Sequence, residues 1–160
     1  MTIHTVPQHI RGFDRPEVHA SLVISSYKRF YREDLLSEET EGSLTERLFR
    51  APLVLLSHDT EADPVLTYGN AAALALWERD WASFTSMPSR YTAEPMLREE
   101  RDAFLRSVAE RGFVQDFAGV RVSSSGKRYR IQGGAVWNLI DEHGQYRGQA
   151  AAFRQYERIE

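Results

Sequence analysis

An acid and a tyrosine form the one arrangement in this sequence that is typical of a reaction centre. Asp116 and Tyr129 lie in neighbouring predicted strands, and steroid-isomerase-like enzymes use one acid and one tyrosine in an apolar cavity. Such a role requires burial to raise the pKa of the acid. The sequence contains no G-x-S-x-G, H-E-x-x-H or G-x-x-x-x-G-K motif. We therefore predict that the protein is not an enzyme, and an isomerase-type small-cavity enzyme is the third choice of function.

Arg90 and Tyr91 are candidates for contact with a ligand. They lie in the segment PSRYTAEP, where short helices are expected to close over a sheet. The planar guanidinium of Arg90 could hold a carboxylate or a phosphate. The alternative is a solvated arginine beside the start of a helix.

The acidic segment after residue 58 imitates a calcium-binding loop. Asp59, Glu61 and Asp63 have the spacing of its first ligands. However, Pro64 occupies the position that requires glycine, and Asn70 the position of the bidentate glutamate. The histidines at 58 and 143 lie in separate predicted turns. We predict no metal site.

Composition narrows the classes of function further. The net charge is -3 at pH 7 over 160 residues, so there is no basic surface of the kind that nucleic acid requires. The sequence has no cysteine, and no apolar run long enough to span a membrane. We expect a soluble, cytoplasmic protein that binds neither nucleic acid nor membranes.

The most informative local pattern is the junction in residues 64–77, PVLTYGNAAALALW. Alternating residues up to Gly69 predict a strand, and the alanines after Asn70 predict a helix. The side chain of Asn70 can accept hydrogen bonds from the first turn of that helix. This predicts a tight strand-to-helix switch.

The flanking patterns complete the expected architecture. Residues 1–50 predict an N-terminal helical extension, and residues 51–160 a domain with an antiparallel sheet of about five strands and helices on one face. This order of elements resembles a PAS-like domain. A long amphipathic helix is expected from Thr92 to Gly112, followed by a three-strand meander. The fold class is α+β.

Alternation in the strand from Arg128 to Ile140 predicts which side chains face inward. It places Tyr129, Ile131 and Trp137 on one face, together with Gly133, where either a sheet bend or a ligand could require glycine. Large aromatic residues in a sheet can equally be plain core. The complete set of candidate pocket-lining residues is Tyr68, Asn70, Trp77, Arg90, Tyr91, Tyr129, Ile131 and Trp137.

Several unusual segments resemble one family. They are APLVLLSHDTEADPVLTYGNAAAL, PSRYTAEP, FAGVRVSSSGKRYRI and VWNLIDEHGQYRGQAAAF, in this order between about Leu48 and Phe153. This stretch is similar to the MEKHLA domain, a PAS-related family that includes small stand-alone bacterial members. The resemblance implies a PAS-like sensory or small-molecule-binding module that acts through ligand binding and protein association. A ligand-free interaction domain is the alternative.

The resemblance leaves the cofactor unknown. Flavin photosensors of the PAS class carry a reactive cysteine, which this sequence lacks, so a covalent flavin is excluded. A haem would need an atypical ligand, because residues 92–111 contain no histidine. The expected ligand is a noncovalently bound flavin or another small apolar or aromatic molecule.

A homodimer is expected from the apolar excess of the first helix. Its apolar side chains extend over more than one stripe, so some of them need a surface other than a single sheet. PAS-like domains commonly dimerise through flanking helices. The candidate interface residues are Leu22, Val23, Tyr27 and Phe30.

Overall fold

The computed structural model describes residues 4–37, 42–94 and 98–159, and shows an α+β fold built on one antiparallel sheet. The helices are α1 (Pro16–Tyr31), α2 (Leu44–Arg50), α3 (Ala71–Trp77), α4 (Trp81–Phe84) and α5 (Arg98–Arg111), with a 3-10 helix at Ser89–Thr92. The strands are β1 (Val54–His58), β2 (Leu66–Gly69), β3 (Phe113–Val122), β4 (Arg128–Ile140), β5 (Tyr146–Phe153) and β6 (Gln155–Ile159).

The sheet has the strand order β2-β1-β5-β4-β3. The antiparallel α+β architecture is as predicted, with one strand more than the five expected. This strand, β6, pairs with Arg128–Gln132 in the first half of β4, while β5 pairs with the second half. Because most of β6 is exposed, it lacks the hydrophobic alternation from which a strand is predicted.

Helices cover both faces of the sheet. Helices α3, α4 and α5 pack on one face, which we call the inner face, as the sequence predicted. The N-terminal helix α1 packs on the other, outer face, mainly against β4. Buried residues of α1 and of the sheet belong to one continuous core. The division into separate units at residue 51 stays a prediction.

Apart from Val18, which is exposed, the large apolar residues of α1 pack within the molecule. Val23 is fully buried, and its carbonyl oxygen accepts a 3.3 Å hydrogen bond from Trp137 Nε1. The ring of Tyr27 lies edge-on to Trp137 at 5.0 Å, and Phe30 stacks on Phe113 at 5.4 Å. Leu22 is also buried. The argument for a homodimer from unused apolar surface on α1 is therefore wrong, because the outer face of the sheet takes up this surface.

A bulge in β4 changes which residues share a face. Gly119 pairs with Ile131 and Phe117 pairs with Gly134, so β4 contains one residue more than β3 between these pairs. Gly133 has a φ of +65°, the left-handed conformation that glycine adopts readily. The alternation reverses there, so Ile131 points to the inner face. The prediction that Ile131 and Trp137 share a face was wrong because it assumed uninterrupted alternation.

His19 is a fully buried titratable residue on the outer face. Its Nε2 lies 3.1 Å from Ser57 Oγ, and its ring contacts those of Phe13 and Tyr68. Burial away from any charge lowers its pKa to about 3. His19 is therefore neutral in the folded protein at ordinary pH.

Replacing Trp137 with alanine should be costly. The indole is fully buried and packed by α1, so we expect a loss of about 3–5 kcal/mol in the free energy of unfolding, measured with urea. Tyr156→Ala is the control, because its side chain is 46% exposed and its loss should stay within about 1 kcal/mol. Similar losses for the two variants would contradict the packing described here.

His19 should make the protein less stable in acid. Its ordinary pKa of 6.5 falls to about 3 on folding, so between these values the unfolded chain binds more protons. Stability from this group is complete above pH 6.5 and decreases as the pH falls towards 3, by up to about 1.4 kcal/mol per pH unit. Urea titrations across this range should show a shallower slope for His19→Leu than for Ser57→Ala. Equal slopes would show that His19 does not cause the loss of stability in acid.

Candidate functional site

A small cavity lies between the inner face of the sheet and helices α3 and α5. Its volume is about 50 Å³. It is bounded by strands β1 to β5, by α5 and by the 3-10 helix. The wall is largely apolar, and its larger side chains include Leu56, Leu66, Trp77, Phe104, Phe117 and Ile131. An apolar cavity with a few polar groups is the usual form of a small-molecule site.

Two neutral polar side chains form part of the wall at β1 and β5. His58 and Gln149 occupy paired positions on these strands. Nδ1 of His58 lies 2.9 Å from the Asp59 carbonyl oxygen, so this nitrogen carries the proton. The Gln149 Nε2 amide donates to Leu105 O at 2.9 Å and to Asn138 Oδ1 at 3.2 Å.

These bonds leave two hydrogen-bond acceptors in the wall. Among the described residues, His58 Nε2 and Gln149 Oε1 are buried and have no hydrogen-bond donor. Burial, followed by the charge of Arg101, lowers the pKa of His58, although its interactions with Asp59 and with the Gln149 side chain raise it. The imidazole therefore stays neutral, and both groups can accept a hydrogen bond from a ligand hydroxyl or amine.

Two arginines reach the same cavity from different elements. Arg101 projects from α5 with a side chain only 9% exposed, donates to Ser89 Oγ at 2.6 Å and lies 3.6 Å from Asp102 Oδ1. Arg121 projects from β3, lies over the Phe117 ring at 5.1 Å and donates to the Val120 carbonyl oxygen at 3.0 Å.

The two guanidinium groups influence each other electrostatically. Burial, together with the positive charge of Arg101, lowers the pKa of Arg121 to about 10. Arg121 therefore remains charged at neutral pH. Among the residues that the structure describes, no Asp or Glu lines the cavity.

The structure brings two of the eight predicted pocket-lining residues into the cavity. Trp77 and Ile131 line it, and Trp77 Nε1 lies 3.4 Å from the Thr92 carbonyl oxygen. Trp137 and Tyr68 are buried outside it, with Trp137 against α1 and Tyr68 against His19.

The remaining predicted residues lie elsewhere. Tyr129 packs edge-on against Tyr156 near the beginning of β4. Arg90 lies on the surface, where it pairs with Asp63 at 3.1 Å and lies over the Tyr91 ring. These three predicted residues do not line the cavity. The interpretation of Arg90 as an arginine beside a helix start agrees with this position.

Asn70 has a structural role that occupies its whole side chain. Oδ1 accepts hydrogen bonds from the backbone N–H groups of Leu55 and Ala73, both at 3.1 Å. Nδ2 donates to the carbonyl oxygens of Leu53 at 2.8 Å and Leu48 at 3.4 Å. The predicted cap of α3 is therefore present, and the same amide also ties α3 to β1 and to the end of α2.

The acid and tyrosine proposed for an isomerase do not form a site. Asp116 lies in a bulge of β3 with a φ of +56°, and its side chain is exposed. The proposed role requires a buried acid, and Asp116 is not buried. Neither Asp116 nor Tyr129 lines the cavity.

One signal in the sequence could have revealed Arg101. Phe104, Leu105 and Val108 form the apolar stripe of α5, and Arg101 lies three residues before Phe104, on the same stripe. A charged residue within an apolar stripe indicates a function or a buried partner. The sequence signal for Arg121 is weaker. Because β3 contains polar residues on both faces, a charged residue there does not interrupt an apolar stripe.

The described residues lack two other classes of site. They contain no group of three or more His, Asp or Glu side chains that could hold a metal ion. None of their helices combines the length and apolar character needed to cross a lipid bilayer.

The strand order and the helices on the inner face define a PAS-like fold, and solved structures agree. A PAS domain from Colwellia psychrerythraea superimposes with a TM-score of 0.59 at 13% identity, covering 71% of this chain and 92% of its own. A light-oxygen-voltage domain studied with a flavin analogue gives a TM-score of 0.58 at 16% identity, covering 75% and 87%. The blue-light photoreceptor Vivid gives 0.54 at 18% identity, covering 86% and 94%. At these identities the similarity establishes the fold alone.

The family is established by sequence. The model of the MEKHLA domain matches residues 17–158, and the chain belongs to this family. The match includes both α1 and α2. No curated protein matches the chain.

Asn70→Ala should destabilise the protein more than the loss of an ordinary helix cap. The variant loses the cap and leaves the buried Leu55 N–H and Leu53 carbonyl without their partner, so we expect a loss of more than about 3 kcal/mol in urea unfolding. Asp80→Ala removes only the cap of α4, a bond to Ser83 N, and should cost about 1 kcal/mol. Equal costs would show that the bonds to β1 contribute little.

Proposed function

We propose that this protein is a sensory module that binds a small molecule in the inner-face cavity and acts without catalysis. The observation that carries the proposal is the cavity itself, which combines an apolar wall with polar groups from β1, β3, β5 and α5. Binding sites of small molecules have this composition. The acid and tyrosine of the enzyme alternative do not meet in the cavity.

Ligand binding would affect the position of α5. Residues of α5 contribute one wall of the cavity and the sheet contributes another, so a bound molecule contacts both. A ligand that prefers one arrangement of the helix over the sheet shifts the population towards that arrangement. Association with another protein would then depend on the ligand through the surface around α5.

The size of the cavity limits the ligand. A volume of about 50 Å³ has room for roughly three to five water-sized groups. A three-ring flavin does not fit this cavity, and the sequence has no cysteine with which to attach one. We therefore propose a small metabolite in place of a flavin.

We also propose that the protein forms a homodimer. This proposal no longer uses the four interface residues predicted on α1. Among the described residues, the large exposed apolar side chains are Val18, Tyr91, Tyr146 and Tyr156. A dimer would have to use surface of this kind, because Leu22, Val23, Tyr27 and Phe30 pack in the core or against it.

Filling the cavity should abolish ligand binding. Ala151 lies on the inner face opposite Leu56, and Ala151→Leu adds three carbon atoms to the cavity. The matched control is Ala103→Leu on the exposed surface of α5. We expect a small-molecule library to contain compounds that raise the thermal midpoint of the wild type and of Ala103→Leu, but not of a folded Ala151→Leu.

The same variants distinguish the sensory function from its alternative. Native mass spectrometry of the purified proteins would detect a bound molecule directly. If no compound binds the wild type, or if binding is equal in the two variants, the cavity is not the site and the interaction-domain interpretation is favoured.

A further inference from the structure

We infer that the cavity binds a small uncharged molecule through a hydroxyl or amide N–H group, which donates to His58 Nε2 and Gln149 Oε1. This inference rests on the proposed function and identifies the chemical class of the ligand. The rest of such a ligand is apolar, because the wall of the cavity is largely apolar.

The first argument is that the orientation of the Gln149 side chain is fixed. Asn138 Nδ2 donates to the Ala109 carbonyl oxygen at 3.1 Å, so Asn138 Oδ1 is the atom that faces Gln149. Gln149 Nε2 donates to this oxygen and to the Leu105 carbonyl oxygen. The reverse orientation of the amide would place Oε1 against two other oxygen atoms. Oε1 is therefore left as an acceptor, and it has no donor among the described residues.

The second argument is the tautomer of His58. Its Nδ1 lies 2.9 Å from the Asp59 carbonyl oxygen, which can only accept, so the proton is on Nδ1 and Nε2 carries a lone pair. Burial lowers the pKa of His58 and keeps the imidazole neutral, although its interaction with Gln149 raises this pKa. Nε2 therefore has no proton to donate to Gln149 Oε1.

The third argument is that the two acceptors lie in one small region of the wall. His58 and Gln149 are direct partners on the antiparallel strands β1 and β5, where paired side chains share a face with Cβ atoms about 4.5–5.5 Å apart. They are only 8% and 2% exposed, so bulk water does not solvate them. Two buried acceptors side by side without a donor are unfavourable. A ligand that places a donor group here relieves this cost.

The charge in the cavity favours a neutral donor over a cationic one. The guanidinium of Arg121 is charged at neutral pH and belongs to the same wall. An ammonium group would donate to the two acceptors, but it would be repelled by this positive charge. A hydroxyl or primary amide group donates without a net charge. The volume of about 50 Å³ suits a ligand of roughly four non-hydrogen atoms.

The test compares molecules that share one branched skeleton of this size. Wild-type protein is titrated with isopropanol and acetamide, which are neutral donors, and with acetone, acetate and isopropylammonium at equal ionic strength. The thermal midpoint and the NMR resonances of the histidine ring nitrogens are followed. We expect saturable binding of isopropanol and acetamide in roughly the millimolar range, and at least about tenfold weaker binding of the other three compounds.

The histidine resonances locate the donor. When isopropanol binds, His58 Nε2 changes from a free acceptor to a hydrogen-bonded one, so its resonance should shift over the concentration range that raises the thermal midpoint. His19 is the internal control, because its Nδ1 is also buried without a partner but it does not line the cavity. Equal shifts at both histidines would show a general solvent effect and would contradict the inference.

Matched variants test the two acceptors. His58→Phe and Gln149→Met keep the approximate size of each side chain and remove the acceptor, so each should reduce the preference for isopropanol over acetone from about tenfold to about twofold or less. His143→Phe and Gln145→Met make the same changes in the exposed turn between β4 and β5, and should leave the preference unchanged. If Gln149→Met fails to fold because it also loses the amide donor, His58→Phe and the comparison on the wild type remain decisive.

The outcomes separate this inference from the proposed function. If library compounds bind in a manner that Ala151→Leu abolishes, while isopropanol and acetamide bind no better than acetone, the cavity is a ligand site and the inferred class is wrong. Binding of isopropanol that leaves the His58 resonance unchanged would also overturn the inference. So would the absence of binding by both neutral donors at high millimolar concentration, as expected if a water molecule already satisfies the acceptors. If no compound of any kind binds, both proposals fail.

Discussion

The buried amide of Asn70 is the interaction on which the arrangement of the inner face depends. One side chain joins the first turn of α3 to β1 and to the end of α2, through four hydrogen bonds to the backbone. These bonds fix where α3 begins relative to the sheet. Because α3 ends at Trp77, they also determine where this indole meets the cavity. A local capping interaction thus sets the position of a wall about two turns of helix away.

The two faces of the sheet are packed in different ways. On the outer face, α1 supplies Val23 and aromatic rings that enclose Trp137, so this layer is dense and mostly apolar. On the inner face, the helices leave a small cavity that contains arginine, histidine and glutamine side chains. Dense packing on the outer side stabilises the sheet, and that stability permits buried polar groups on the inner side.

The sequence predicted features that depend on local signals and missed those that depend on register. The strand-to-helix switch at Asn70 was predictable because the cap, the alanines and the alternation are adjacent in the chain. The cavity was not, because Arg101 and Arg121 are twenty positions apart and meet only through the pairing of the strands and the packing of α5. Trp137 was assigned to the wrong face because nothing in the sequence distinguishes a bulge at Gly133 from a glycine in a regular strand.

The bulge at Gly133 reverses which face of the sheet the odd-numbered side chains of β4 occupy. Before it, Ile131 borders the cavity, and after it, Trp137 anchors α1 on the opposite side of the sheet. One continuous strand therefore contributes to the cavity on one face of the sheet and to the packing of α1 on the other. A substitution at Ile131 alters the shape of the cavity without a change in the outer core. The bulge therefore lets one strand serve a cavity and a packed layer at the same time.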